Sequence, residues 1–144
     1  RPAAERLAFI RSLIFHYLVG NADAHGKNFA LLYRGATPDL APLYDVVCTA
    51  VYPRLAKKLA MAIGGRNVPD TIRLEHWWTL VPETRGARRV LEDELREMAE
   101  RVGPEADGLI AELTDAGMRH EVLTAIRRVI ETRASHLLRI IKKS

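Results

Sequence analysis

The stretch that most constrains the fold is a periodic apolar segment running straight into a polar loop. Over residues 3–19 the side chains Leu7, Ile10, Leu13, Ile14, Tyr17 and Leu18 recur at spacings of three and four, and the octet Asn21-Ala22-Asp23-Ala24-His25-Gly26-Lys27-Asn28 follows at once. That spacing predicts an amphipathic helix, with Gly20 at its C-terminal cap because a residue lacking Cβ can turn the chain out of the last turn. Beyond the octet, the short apolar runs 29–33 and 40–44 are separated by Arg34-Gly35-Ala36-Thr37-Pro38-Asp39, which predicts a β-hairpin. In an antiparallel hairpin the start of the first strand lies beside the end of the second, so Asn28 and Asp45 are expected to meet at its open end.

The remainder reads as mostly helical. Residues 59–63 form a further possible strand ending at Gly64-Gly65, and a helix should follow, capped by Asp70 or Thr71 and burying part of Trp77, Trp78 and Leu80. After the break at 82–86, helices are expected over 87–102, 105–116 and 121–142, divided by Gly103-Pro104 and by Gly117. With 144 residues, 48% of them hydrophobic, the chain can bury one ordinary core, and no repeat or linker suggests an internal boundary. The expected class is α+β, mostly helical, in a single domain over 1–144. The amino terminus lacks a signal-peptide layout and no apolar run reaches membrane-span length, so a soluble, cytoplasmic protein is expected. Cys48, the single cysteine, cannot form an internal disulfide and is expected to be a small buried hydrophobe. An arginine at position 1 and a helical pattern under way by Glu5 suggest part of a longer protein.

The net charge of +4 is uneven: residues 119–144 carry seven basic groups against two acids. A basic last helix could touch nucleic acid or an acidic partner, but a solvated face opposite the stripe Val122, Ile126, Val129, Ile130, Leu137, Leu138 and Ile141 is the simpler reading.

The octet carries the chemistry. A carboxylate, Asp23, stands five positions ahead of a side-chain amide, Asn28, and a second carboxylate, Asp45, follows seventeen residues later. Phosphoryl transfer needs this layout, with one group to orient an acceptor hydroxyl and two oxygens to hold magnesium. Asp23 is thus a candidate catalytic base, and Asn28 and Asp45 are candidate magnesium and nucleotide-phosphate ligands. Lys27 could neutralise charge on the transferred phosphate, and His25 reads best as a residue that fixes the loop. Each alone is an ordinary turn or surface residue; the joint spacing favours function. His16, His76, His120 and His136 show no spacing suited to a zinc cage.

At these positions, and through the segments Leu40-Ala41-Pro42-Leu43-Tyr44-Asp45-Val46-Val47 and Lys58-Leu59-Ala60-Met61-Ala62-Ile63-Gly64-Gly65, the sequence resembles the HipA-like serine/threonine kinases, toxin halves of bacterial toxin–antitoxin pairs. The resemblance implies a protein-kinase-like C-terminal lobe whose small β-hairpin carries the catalytic and metal site, with Asp23 as catalytic aspartate and Asn28 and Asp45 as Mg2+ ligands. It also implies ATP as phosphate donor and a protein substrate, possibly an aminoacyl-tRNA synthetase such as glutamyl-tRNA synthetase. A HipB-like helix-turn-helix antitoxin partner, through which any DNA contact would be indirect, is implied as well, together with growth arrest and drug tolerance. His25 stands where ordinary protein kinases place a lysine, and Val46-Val47 replaces Phe-Gly after the metal aspartate. The glycine-rich phosphate loop and strand lysine of an N-terminal lobe are missing from this sequence, so this chain alone is expected to turn over poorly. Two alternatives stay open: a non-catalytic antitoxin- or DNA-binding module, and a phosphotransferase lobe acting on small molecules through an Asp-x-His-x-x-Asn loop.

Overall fold

The computed structural model describes residues 2–143. Helix α1 (Pro2–Leu18) leads into the octet, whose last three residues form a 3-10 turn (Gly26–Asn28). Strands β1 (Leu31–Tyr33) and β2 (Pro38–Leu40) make a two-stranded antiparallel sheet, and a 3-10 turn at Thr49–Val51 follows. Three helices complete the chain: α2 (Leu74–Trp78), α3 (Arg85–Asp115) and α4 (Glu121–Lys142).

The helices hold the core. Ile10, Ile14, Tyr17 and Leu18 of α1 pack with Leu74 and Trp77 of α2, Leu91, Leu95 and Ala99 of α3, and Ala134, Leu137 and Ile141 of α4. These are the i, i+3, i+4 positions of each pattern, which is why one face of every helix is dry. The Tyr17 ring meets Trp77 edge-on at 5.5 Å, and the Arg133 guanidinium lies over the ring, 5.0 Å from its centroid. Burial pushes the Tyr17 phenol up to about 12 while its hydroxyl donates to the Pro69 carbonyl at 3.3 Å. Arg11 of α1 grips Glu94 of α3 through two bonds of 2.7 Å.

Several sequence expectations need correction. Gly103-Pro104 does not divide a helix: α3 runs unbroken from Arg85 to Asp115 with Pro104 inside it. Tertiary packing overrides the local breaker, since α4 lies along this stretch and Arg127 crosses closely over Gly103. Residues 59–63 form no strand; the segment contributes a single bridge, Ile63 to Arg66, and the Leu59 and Ala60 N–H groups donate to Asn67 and Ala22 instead. Neither Asp70 nor Thr71 caps α2, because Pro69–Thr71 is a 3-10 turn of its own and Arg73 occupies the cap position. Cys48 is half-buried rather than fully enclosed.

The hairpin is shorter than expected. Leu31 pairs with Leu40 and Tyr33 with Pro38, so residues 41–44 lie outside the ladder. The Leu40 N–H also donates to the Glu5 carboxylate at 2.7 Å, which fastens the sheet to the first turns of α1.

Candidate active site

Gly20 ends α1 with φ +73°, the left-handed conformation its sequence position called for. Its carbonyl accepts from the Thr49 hydroxyl at 3.2 Å and the Ala50 N–H at 3.1 Å, so the helix end is seated on the second 3-10 turn. Thr49 Oγ1 in turn accepts from the Ala22 N–H at 2.8 Å, and the Ala22 carbonyl takes the Ala60 N–H at 2.8 Å. Ala22 and Ala24 are buried, and the residue between them, Asp23, is therefore turned outward, its carboxylate exposed on an immobilised backbone.

The structure brings Asn28 and Asp45 together. Asn28 is buried and donates from Nδ2 to Asp45 Oδ2 at 2.9 Å. Strand register alone would set Asn28 opposite Leu43, so Asp45 must be drawn back by two residues. Three features do this. Asp45 adopts φ +57°, the only positive φ of a non-glycine side chain among the described residues. The Tyr44 hydroxyl donates to the Lys27 carbonyl at 2.8 Å, and Asn21 Nδ2 donates to the Asp45 carbonyl at 3.3 Å.

His25 lies half-exposed, its Nε2 3.9 Å from Asp23 Oδ1, while its backbone N–H reaches Asn28 Oδ1 at 3.4 Å. It thus lies between the exposed carboxylate and the buried amide. Lys27 is exposed, and its main chain rather than its ammonium makes the hydrogen bond with Tyr44.

Two residues that the sequence reading left out of the site prove central. Asn21, 2% exposed, accepts the Asp23 N–H on Oδ1 at 3.1 Å and directs Nδ2 to His16 Nδ1 at 3.0 Å as well as to the Asp45 carbonyl. An amide nitrogen can only donate, so His16 Nδ1 must accept and the ring is the neutral Nε2–H tautomer. Burial lowers the His16 pKa, in keeping with that neutral form. The signal available in sequence was a histidine on the apolar side of α1, five residues before an asparagine.

The donor set suits magnesium. An amide oxygen and a carboxylate are hard ligands, and Mg2+ takes few protein groups while keeping waters and phosphate oxygens. The terminal torsion of asparagine is broad and two-fold. A half-turn would turn Asn28 Oδ1 from the His25 N–H toward Asp45 Oδ2, trading that 3.4 Å bond for an oxygen pair that could hold a cation. Among the described residues no group of three or more His, Cys, Asp or Glu side chains is arranged to hold a metal ion.

Fold and site define an α+β, mostly helical domain organised around an acidic oxygen-donor site at the end of its first long helix. The family model described as the HipA-like C-terminal domain matches residues 1–106, and the chain belongs to that family. It is 46% identical over 83 residues to "Putative kinase Y4mE" of Sinorhizobium fredii, covering 58% of this chain and 20% of that protein. It is 35% identical over 71 residues to the serine/threonine-protein kinase toxin HipA of Shewanella oneidensis, covering 49% of this chain and 16% of the toxin. A chain in the solved complex of Shewanella oneidensis HipA, HipB and operator DNA shares the fold, with a TM-score of 0.82 at 24% identity over 99% of this chain and 34% of that one. The chain therefore spans about a third or less of the length of the relatives it matches.

Proposed function

We propose that residues 1–144 are the kinase-like C-terminal lobe of a HipA-like toxin kinase, which transfers the γ-phosphate of ATP to a serine or threonine hydroxyl of a protein. The observation that carries this reading is the contact of Asn28 with Asp45 at 2.9 Å beside an outward-facing Asp23 on a pinned backbone. Asp23 accepts a hydrogen bond from the acceptor hydroxyl and orients it for attack. Asn28 and Asp45 hold Mg2+, which when bound neutralises charge on the phosphates of ATP. Lys27 stands exposed in the same loop, where its ammonium can meet the transferred phosphoryl group, and His25 keeps Asp23 and Asn28 in register.

Family membership and the kinase names of the relatives support the reaction class. The solved complex of the Shewanella HipA with HipB and operator DNA supports a HipB-like antitoxin as partner, with DNA contacted indirectly. Two of the four arginines of the last helix favour that indirect role, being engaged within the chain: Arg127 by Asp107 and Glu131, and Arg133 by the ring and carbonyl of Tyr17. The protein substrate proposed by family resemblance is an aminoacyl-tRNA synthetase, glutamyl-tRNA synthetase first among them. A cytoplasmic location is proposed with it; among the described residues no helix is long and apolar enough to cross a membrane.

The test is transfer of labelled γ-phosphate from ATP with magnesium by the chain supplied with its natural upstream region, set against Asp23→Asn. Loss of a positioned base costs about 10²–10⁴-fold. Equal incorporation by wild type and Asp23→Asn, or none by either, would refute the assignment.

A further inference from the structure

Asp23 and Asp45 come from opposite sides of the hairpin and share no element of secondary structure. A single buried side chain spans them. Asn21 Oδ1 takes the Asp23 N–H at 3.1 Å, its Nδ2 gives one hydrogen to the Asp45 carbonyl at 3.3 Å, and the other goes to His16 Nδ1 at 3.0 Å. All the hydrogen-bonding capacity of that nitrogen is used, and the ring of His16 is itself fixed from the side by Phe29, edge-on at 5.7 Å. The residue tethered at the far end is the one whose backbone is strained: Asp45 at φ +57°. A non-glycine residue in the left-handed region persists where its surroundings over-determine it, and the Asn21 bond acts on the carbonyl of that same residue.

We propose that Asn21 is a positioning residue of the phosphoryl-transfer site, whose amide couples the backbone of the catalytic aspartate to that of the metal-binding aspartate and sets the geometry in which Asp45 meets the cation. The proposal rests on the kinase reading above. Asn21 touches neither substrate nor metal; it acts through Asp23 and Asp45. Its oxygen fixes the direction of the catalytic loop, and its nitrogen fixes the turn that presents the Asp45 carboxylate to Asn28.

Asn21→Asp separates these two tasks. The replacement is isosteric and keeps an oxygen to accept the Asp23 N–H, but it sets a second oxygen against the Asp45 carbonyl and His16 Nδ1, removing that tether together with the amide's donation to His16. Groups that orient metal ligands from behind typically contribute about 10–100-fold in metal affinity or activity.

The experiment uses the chain with its natural upstream region in four forms: wild type, Asn21→Asp, Asn21→Ala and Asp23→Asn. Two readouts are taken, the Mg2+ concentration for half-maximal phosphoryl transfer, and Mn2+ binding in the presence of ATP followed by electron paramagnetic resonance. The expected result is a rise of about tenfold or more in the half-maximal Mg2+ concentration for Asn21→Asp, a parallel weakening of Mn2+ binding, and an unmoved KM for the protein acceptor. Asp23→Asn should lose transfer while retaining Mn2+ binding. An Asn21→Asp protein with wild-type Mg2+ dependence and wild-type Mn2+ binding overturns the proposal, whatever its melting temperature. If Asn21→Ala fails to fold, the isosteric variant decides alone. Failure of the kinase reading looks different: wild type transfers no phosphate or Asp23→Asn transfers as well as wild type, and Mn2+ binding still reports whether the Asn21 tether shapes the Asp45 site.

Discussion

Replacing Gly20 with alanine tests whether the helix end and the octet loop are built on one left-handed residue. A Cβ at this position would stand 2.5 Å from Val129 Cγ1, 3.0 Å from the Ala50 Cβ and 3.3 Å from Cys48 Sγ, on a backbone at φ +73°. The left-handed conformation costs an L-residue about 1–2 kcal/mol. Forcing a methyl group into a packed contact adds about 1–3 kcal/mol, because Val129 is carried on α4 and Ala50 on the turn that bonds Gly20, so neither can withdraw freely. Together the loss is about 2–5 kcal/mol. At roughly 2.1 cal/mol/K of unfolding entropy per residue, a chain of 144 residues loses about 3 °C per kcal/mol, which gives a fall in Tm of about 6–15 °C. Scanning calorimetry measures it directly. Gly108→Ala is the matched control: it lies exposed inside α3 with nothing near its would-be Cβ, and should gain about 0.5–1 kcal/mol. A Gly20→Ala protein melting within about 2 °C of wild type would refute the reasoning.

Pro104→Ala should stabilise the chain by on the order of 1–3 kcal/mol in urea titration, since α3 is continuous there and proline removes a helix bond; no gain would mean that the helix is interrupted at this point. Arg127→Ala should cost about 1 kcal/mol at neutral pH, because a partly exposed guanidinium shared by Asp107 and Glu131 is screened by water. The hydrogen bond from Arg127 holds the Asp107 carboxyl below its ordinary 3.8, so this contribution is present above that value and is lost as pH falls through the lower folded-state range. Wild type and Arg127→Ala should therefore converge in strong acid, and parallel unfolding curves down to the lowest pH would contradict the pairing. His16 is held below its ordinary 6.5 by burial, so the unfolded chain takes up this proton first and stability falls as pH drops below that value, by at most about 1.4 kcal/mol per pH unit. His16→Gln should flatten that part of the urea-midpoint profile, and an unchanged slope would remove His16 from the account.

What was legible in the sequence was local chemistry joined to a clear period. Residues 3–19 announced α1 and its glycine cap because six apolar positions fell on one face and no competing pattern existed. The meeting of Asn28 with Asp45 was also foreseeable, although the reason was incomplete. A hairpin brings its ends together, yet the observed register misses by two residues, and the return depends on Asp45 leaving ordinary backbone space and on Asn21. Neither has a signature in a single sequence. Leu59 and Ile63 are buried like alternate residues of a strand, but no second strand lies beside them, and a strand exists only with a partner. Gly103-Pro104 misled in the opposite direction: the local preference to stop was real, and packing of α3 along α4 outweighed it.

The site divides into a rigid half and an adjustable half, and the division follows from which atoms are held. Asp23 is fixed through main-chain groups: the Ala22 N–H and carbonyl are both bonded to distant segments, and its own N–H is bonded to Asn21. If Asp23 is the base of the proposed reaction, a backbone held in this way would need no reorganisation as a hydroxyl approaches, the condition under which positioning contributes most to rate. Asn28 and Asp45 are different. Their side-chain ends are bonded to each other, and turning one amide exchanges a donor for a second acceptor. On the proposed reading Asn28 and Asp45 would hold a divalent cation, whose positive charge would take the place of the amide hydrogens. Turning the amide would also release the His25 N–H from Asn28 Oδ1, so on that reading cation binding would be linked to the His25 contact, while the backbone of Asp23 is held independently of it.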